Sequence, residues 1–280
     1  MNASRYAGRT ALVTGASAGL GAAYARQLAG AGADLVLVAR REERLAALAE
    51  ELRGQGRQAQ VIAADLSRPE APGEVVSKME RPADILVNNA GFGLPGTYVN
   101  TSWEEQRDFI QLMVTACAHL AHAVLPGMHE RGFGRIVNVA SLAGIVPGSA
   151  GHTLYGASKA FLISMSQSLD AEARSVGVDV RAQACCPGFT VTEFHDVNGT
   201  REGMSQMPDY VWMQADAVVG GSLRALEGGP VTYVPGRVNK TVARAARVMG
   251  PELAQRLFGK QSSMYRKTEG GGASAETAPD

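Results

Sequence analysis

From Thr10 onward the chain alternates short apolar runs with longer amphipathic stretches, about seven times over. TALVT at 10–14 leads into a glycine-rich turn and a helix ending near Ala31, and DLVLVA follows at 34–39, which makes a βαβ unit. QVIAA, DILVN, RIVNVA, VDVRAQA and VTYVP are further strands. The earlier runs are apolar almost throughout, as parallel strands are when helices cover both faces of their sheet. Leu45, Leu48 and Leu52 recur at helical spacing within Arg41–Arg53, and further helices are predicted from Trp103 to about His129, from about Tyr155 to Val176 and over Ala215–Leu226. The expected fold is therefore α/β: a single doubly wound domain of about seven parallel strands flanked by helices on both faces.

A length of 280 residues suits one such domain, expected over 1–268. Within it, 188–214 lacks clear periodicity and follows a strand's C-terminal end, as a substrate lid would. Residues 237–260 form a basic amphipathic extension with Val238, Val242, Ala245 and Val248 at helical spacing. Packing on its own domain or on a neighbouring subunit is favoured there over an anionic membrane, and Pro251 should divide the helix. Residues 269–280, rich in Gly, Ala and Glu, are expected to be a disordered tail. Lys and Arg total 27, as do Asp and Glu, so no global field points to nucleic acid. With no signal-like h-region and no uninterrupted spanning run, a cytoplasmic protein without a membrane span is expected. Cys117, Cys185 and Cys186 have no metal-ligand spacing, which fits a reducing compartment. His119 and His122 lie three apart on a helix but lack further ligands, so no metal site is expected.

The turn after the first strand reads Thr14-Gly15-Ala16-Ser17-Ala18-Gly19-Leu20-Gly21. Glycines let such a backbone turn tightly against a pyrophosphate, and the helix that follows offers unpaired N–H groups and the positive end of its dipole. At the end of the second strand, where a carboxylate would accept the ribose hydroxyls of NAD, Ala39 is followed by Arg40 and Arg41. A guanidinium there grips a 2′-phosphate, so NADP is the expected cofactor, and Arg40 is the arginine favoured for the grip. Tyr155 and Lys159 stand four apart on a predicted helix, one turn apart on one face. Free tyrosine titrates near pH 10, and a neighbouring ammonium favours its phenolate.

The spacing T-G-x-x-x-G-x-G resembles that of the short-chain dehydrogenase/reductase family. So do Asn88-Asn89-Ala90-Gly91, Ser141, Tyr155-x-x-x-Lys159 and Pro187-Gly188, in that order over residues 8 to 235. The resemblance implies a Rossmann-type fold in the family's NADP-preferring branch of about 250-residue members, with Ser141, Tyr155 and Lys159 catalytic. It implies that Tyr155 exchanges a proton with the substrate oxygen while a hydride passes to or from the nicotinamide. Ser141 would hold that oxygen, and Lys159 the nicotinamide ribose. Gly15, Ser17, Ala18, Gly19, Leu20 and Gly21 would cradle the pyrophosphate. Asp65, Leu66, Asn89, Ala90 and Gly91 would line the adenosine side, with Pro187, Gly188, Thr190 and Thr192 at the nicotinamide. The long helix from Trp103 would pair with its mate in a homodimer or homotetramer.

One position departs from the family. Met113 occupies the place of an asparagine thought to hold a proton-relay water, and a thioether cannot replace an amide's donors. Slower turnover is expected, a backbone carbonyl serving instead; the alternative is a weak or inactive dinucleotide-binding scaffold. Apolar residues including Phe92, Leu142, Phe189, Phe194, Met207 and Trp212 could surround a hydrophobic ketone or secondary alcohol, with His152 at the pocket's border.

Overall fold

In the computed structural model, which describes residues 5–94, 97–146, 153–193, 208–249 and Leu253, the apolar runs become strands of one sheet. These are β1 (Thr10–Thr14), β2 (Asp34–Ala39), β3 (Ala59–Ala63), β4 (Ile85–Asn88), β5 (Phe133–Val139), β6 (Asp179–Cys185) and β9 (Thr232–Tyr233). Their order is β3-β2-β1-β4-β5-β6-β9, and every pairing is parallel. The fold is thus the expected Rossmann-type doubly wound sheet. Leu12 of β1, in register with Val36 and Leu86, faces one core, while Ala11 and Val13 face the other. This alternation explains why β1, β2 and β4 are apolar almost throughout: neither face is wet.

Helices α1 (Gly19–Gly30) and α2 (Glu42–Gly54) cover one face together with α7 (Ala215–Leu226), burying Tyr24, Leu28, Leu45, Leu48, Val219 and Leu223. On the other lie α3 (Ala71–Lys78), α5 (Ala116–Glu130) and α6 (Thr153–Ser175), with Val75, Leu120, Val124 and Ala173 buried. The predicted helix from Trp103 runs on to Glu130 but is irregular in its middle. It comprises α4 (Trp103–Ile110), a π-helical turn at Gln111–Thr115 and α5, with the amide of Ala116 donating to the Gln111 carbonyl. A capping box between Ser102 and Glu105 starts it. Among the described residues, this stretch has the length and apolarity of a membrane-crossing helix. In this fold Phe109, Met113, Ala116, Leu120, Val124 and Met128 are buried along it.

Two further corrections concern the C-terminal half. Part of the stretch without periodicity is ordered as β7 (Thr190–Val191) and β8 (Met213–Gln214), which pair with each other as a small parallel sheet. In α8 (Arg237–Val248) the buried residues are Asn239, Ala243 and Ala246, while Val238 and Val248 of the expected apolar stripe are exposed, Val248 to 88%. Close approach decides the face. A Cβ on Gly188 would sit 2.4 Å from Asn239 Oδ1, so this side of α8 packs against the loop after β6, where only small or compact groups fit.

Candidate active site

The sheet order reverses between β1 and β4, and in open α/β sheets the crevice beyond the strand ends at that point accepts ligands. Here the two loops leaving these strands are stitched together. Thr14 Oγ1 accepts hydrogen bonds from the amides of Asn89 (2.9 Å) and Ala90 (3.0 Å) and donates to the Val87 carbonyl. Asn89 Nδ2 donates back to the carbonyls of Thr14 and Gly15. Gly15, at φ +64°, has no room for a side chain: a Cβ would lie 2.7 Å from Asn89 Nδ2. On Gly21 it would lie 2.2 Å from the Gly15 carbonyl oxygen. These glycines permit a hairpin-tight turn that brings the start of α1 to the crevice. That helix has no side-chain cap at Ala18 and no acidic residue in its first turn, so its leading N–H groups suit an anion.

Three loops from β5, β6 and α6 converge beside this turn. Lys159, on α6, donates from Nζ to the Val139 carbonyl at the end of β5, at 2.7 Å. Its Nζ is 5.7 Å from the centroid of the Tyr155 ring, as the four-residue spacing requires. The lysine is 6% exposed, and burial pushes its pKa down from 10.5 to about 8, against opposing contributions from the Cys117 and Cys186 thiols. Ser141 caps a single 3-10 turn, Leu142–Gly144, by accepting from the Ala143 amide at 3.1 Å. This turn packs tightly on α6, since a Cβ on Gly144 would sit 2.6 Å from the Lys159 carbonyl carbon. The Leu142 amide donates to the Pro187 carbonyl, which ties the Ser141 loop to Pro187-Gly188. From there Thr190 enters β7, and Thr192 closes over the glycine turn, 3.2 Å from where a Gly19 Cβ would be.

The structure therefore gathers Ser141, Tyr155 and Lys159 on one side and the glycine turn, Asn89–Gly91 and Pro187–Thr192 around it. At the far end Asp65 accepts from the Ser67 amide and hydroxyl. Burial works to raise its pKa, but those bonds and the charges of Arg40 and Arg68 outweigh it and hold the carboxyl below its usual value. Leu66, beside it, is buried. Arg40 thus faces the Asp65 side, whereas Arg41 reaches the glycine turn, with Nη2 at 3.1 Å from Ser17 Oγ. Sequence reasoning missed Arg44 and Glu193, which join Arg41 there. It also missed Asn138, which accepts from Asn88 Nδ2 and donates to Ser166 Oγ, linking β4, β5 and α6 behind the site. Met113 is 1% exposed in the π-helical turn, and its Sδ would lie 2.8 Å from a Gly91 Cβ, so the thioether packs directly on that glycine. Phe92 stacks edge-on against Phe109, and Phe189 lies 5.5 Å from Trp212, ring centre to ring centre. Phe194, Met207, His152, Pro251 and residues 269–280 lie outside the described residues.

The family profile described as short chain dehydrogenase matches residues 9–203. An uncharacterized oxidoreductase of Myxococcus xanthus is 39% identical over 193 residues, which are 68% of this chain and 75% of that protein. A solved 7β-hydroxysteroid dehydrogenase superposes with a TM-score of 0.82 at 26% identity, covering 92% of this chain and all of that one. A short-chain dehydrogenase from Sphingobium yanoikuyae, solved in complex with NADPH, is 33% identical with a TM-score of 0.72, covering 97% and 99%. Sheet, motif order and these matches agree: the chain is an oxidoreductase-type protein of the short-chain dehydrogenase/reductase family.

Proposed function

We propose that this protein is an NADP(H)-dependent oxidoreductase acting on a ketone or secondary alcohol of a hydrophobic small molecule, with Tyr155 as the proton-exchanging group. The observation that carries the reading is the buried ammonium of Lys159 beside the Tyr155 ring, adjoining a glycine turn that side chains would fill. The dinucleotide fits the residues present. Gly15 to Gly21 and the uncapped start of α1 would hold its pyrophosphate, and Asp65, Leu66 and Asn89 to Gly91 its adenosine. Pro187, Gly188, Thr190 and Thr192 would hold its nicotinamide end. Arg40 and Arg41, with Ala39 in place of an acid, favour the 2′-phosphate. The Sphingobium relative's NADPH complex supports the same cofactor. When bound, the nicotinamide supplies or accepts the hydride.

The chain's own groups handle the proton. Lys159, its charge close to the phenol, stabilises negative charge on Tyr155, and its ammonium would also hold the nicotinamide ribose. Tyr155 then gives a proton to the substrate oxygen in reduction and takes it back in oxidation. The Ser141 oxygen is fixed as an acceptor by the Ala143 amide, which leaves its hydroxyl hydrogen to donate to the substrate oxygen. Phe92, Leu142, Phe189 and Trp212 supply apolar surface for a hydrophobic substrate. The same reading places the enzyme in the cytoplasm, where its three buried free cysteines stay reduced, as a homodimer or homotetramer paired through α4 and α5.

A panel of ketones assayed through NADPH absorbance tests the reading. The wild-type protein should consume NADPH with at least one ketone, and Tyr155→Phe should lower kcat by about 100-fold or more while NADPH still binds. A protein that binds NADPH, reduces nothing and is indifferent to Tyr155→Phe is instead a dinucleotide-binding scaffold.

A further inference from the structure

Glu193 follows Thr192 directly, and its carboxylate is engaged by two arginines from the beginning of the second βα unit. Arg44 Nη1 lies 2.8 and 2.7 Å from its two oxygens, and Arg41 Nη1 lies 3.2 Å from one of them. The remaining nitrogens of the Arg41 fork, Nε and Nη2, point to Ser17 Oγ at 3.3 and 3.1 Å. One guanidinium thus bridges the glycine turn and the loop after β6. Arg41, Arg44 and Glu193 have side chains 45 to 49% exposed. Ion pairs at such exposure are individually weak, so the fork can exchange one anion for another at little cost.

A phosphate monoester carries nearly two negative charges and three acceptor oxygens, against one charge and two oxygens for a carboxylate. An anion arriving between Ser17 and Arg41 meets Glu193 already on the same fork, and the two anions repel. We propose that Glu193 is a specificity-determining residue, a tethered competitor that occupies Arg41 and Arg44 and weakens binding of the 2′-phosphorylated dinucleotide without affecting the unphosphorylated one. The proposal rests on the NADP reading above and adds to it the residue that sets how strong the preference is. The site's affinity for phosphate is then tuned by a side chain that never touches the nucleotide's reacting ring.

Equilibrium binding of NADPH and NADH to wild-type, Glu193→Gln and Glu193→Ala proteins tests this. Both variants should bind NADPH about three- to tenfold more tightly, the effect of two exposed ion pairs, with NADH changed less than about twofold. Equal changes for both nucleotides would show that Glu193 merely shapes the loop. Weaker NADPH binding would show that it organises the arginines for phosphate; either result overturns the proposal. A wild-type protein that binds NADPH no better than NADH, and stays so in Glu193→Gln and Glu193→Ala, sinks the NADP reading itself, and the proposal with it. A wild-type preference for NADPH that Glu193→Gln leaves unchanged refutes the proposal alone.

Discussion

Lys159→Met, studied without nucleotide, measures what the fold expends on keeping an ammonium in the crevice. The lysine is buried, with its Nζ on the Val139 carbonyl, and its pKa falls from 10.5 to about 8 mainly because burial penalises the charged form. Between those values the unfolded chain binds more protons than the native protein, so the wild-type stability contributed by this group rises with pH. Well below pH 8 the native state bears the whole cost, on the order of 3 kcal/mol for a drop from 10.5 to about 8. Between pH 7 and pH 9 about 1 kcal/mol of it is recovered. The Cys117 and Cys185 thiols, pushed up to about 11 by burial, act in the opposite direction only above their ordinary value of 9.0, beyond most of this window, although Cys117 loses the lowering influence of Lys159 in the variant. Urea unfolding at pH 7, 8 and 9 should therefore show the wild type gaining about 1 kcal/mol relative to Lys159→Met across this range. Parallel pH dependences of the two proteins would refute the burial argument. The same proton loss should set the alkaline limb of kcat/KM, which reports the free enzyme, above about pH 8.

Two other perturbations probe the two ends of the crevice. Changing Ala39-Arg40 to Asp-Ala puts a carboxylate where the phosphate would sit, and the NADPH-to-NADH ratio of kcat/KM should fall at least about tenfold; an unchanged ratio removes the phosphate assignment. Met113→Asn empties part of a fully packed site against Gly91, so thermal unfolding should show a loss of about 2 kcal/mol. Turnover should nevertheless rise severalfold, since an amide supplies the hydrogen-bonding groups a thioether lacks, and a turnover that declines along with stability would show that the methionine costs no rate.

The elements that carry the site were legible because their signals are local. Apolar runs of strand length, the leucines of α2 and the close approach of Gly21 to the Gly15 carbonyl all act within a few residues of where they are read. What escaped was decided across the fold. Arg41 and Glu193 are 152 positions apart, so nothing in either segment hints at their meeting, or at the contact of Arg41 with Ser17. The buried side of α8 was misjudged because three valines outweigh Asn239 in any apolar count, whereas contact with Gly188 selects for compactness. The π-helical turn left no trace, since Phe109, Met113, Ala116 and Leu120 keep the three- and four-residue spacing of an uninterrupted helix. β5 begins at Phe133 rather than Arg135, where Phe133 pairs with Asp179 of β6 and its ring meets the guanidiniums of Arg9 and Arg135, partners that propensity does not register.

The pairing of Thr190–Val191 with Met213–Gln214 clamps both ends of the intervening chain to each other, one abutting the glycine turn through Thr192 and the other leading straight into α7. Chain lengthened between two joined ends adds little closure entropy, each doubling costing only about 0.6 kcal/mol. The span from 194 to 212 is therefore a natural graft point, where length and composition can change at little cost to the sheet that anchors both of its ends.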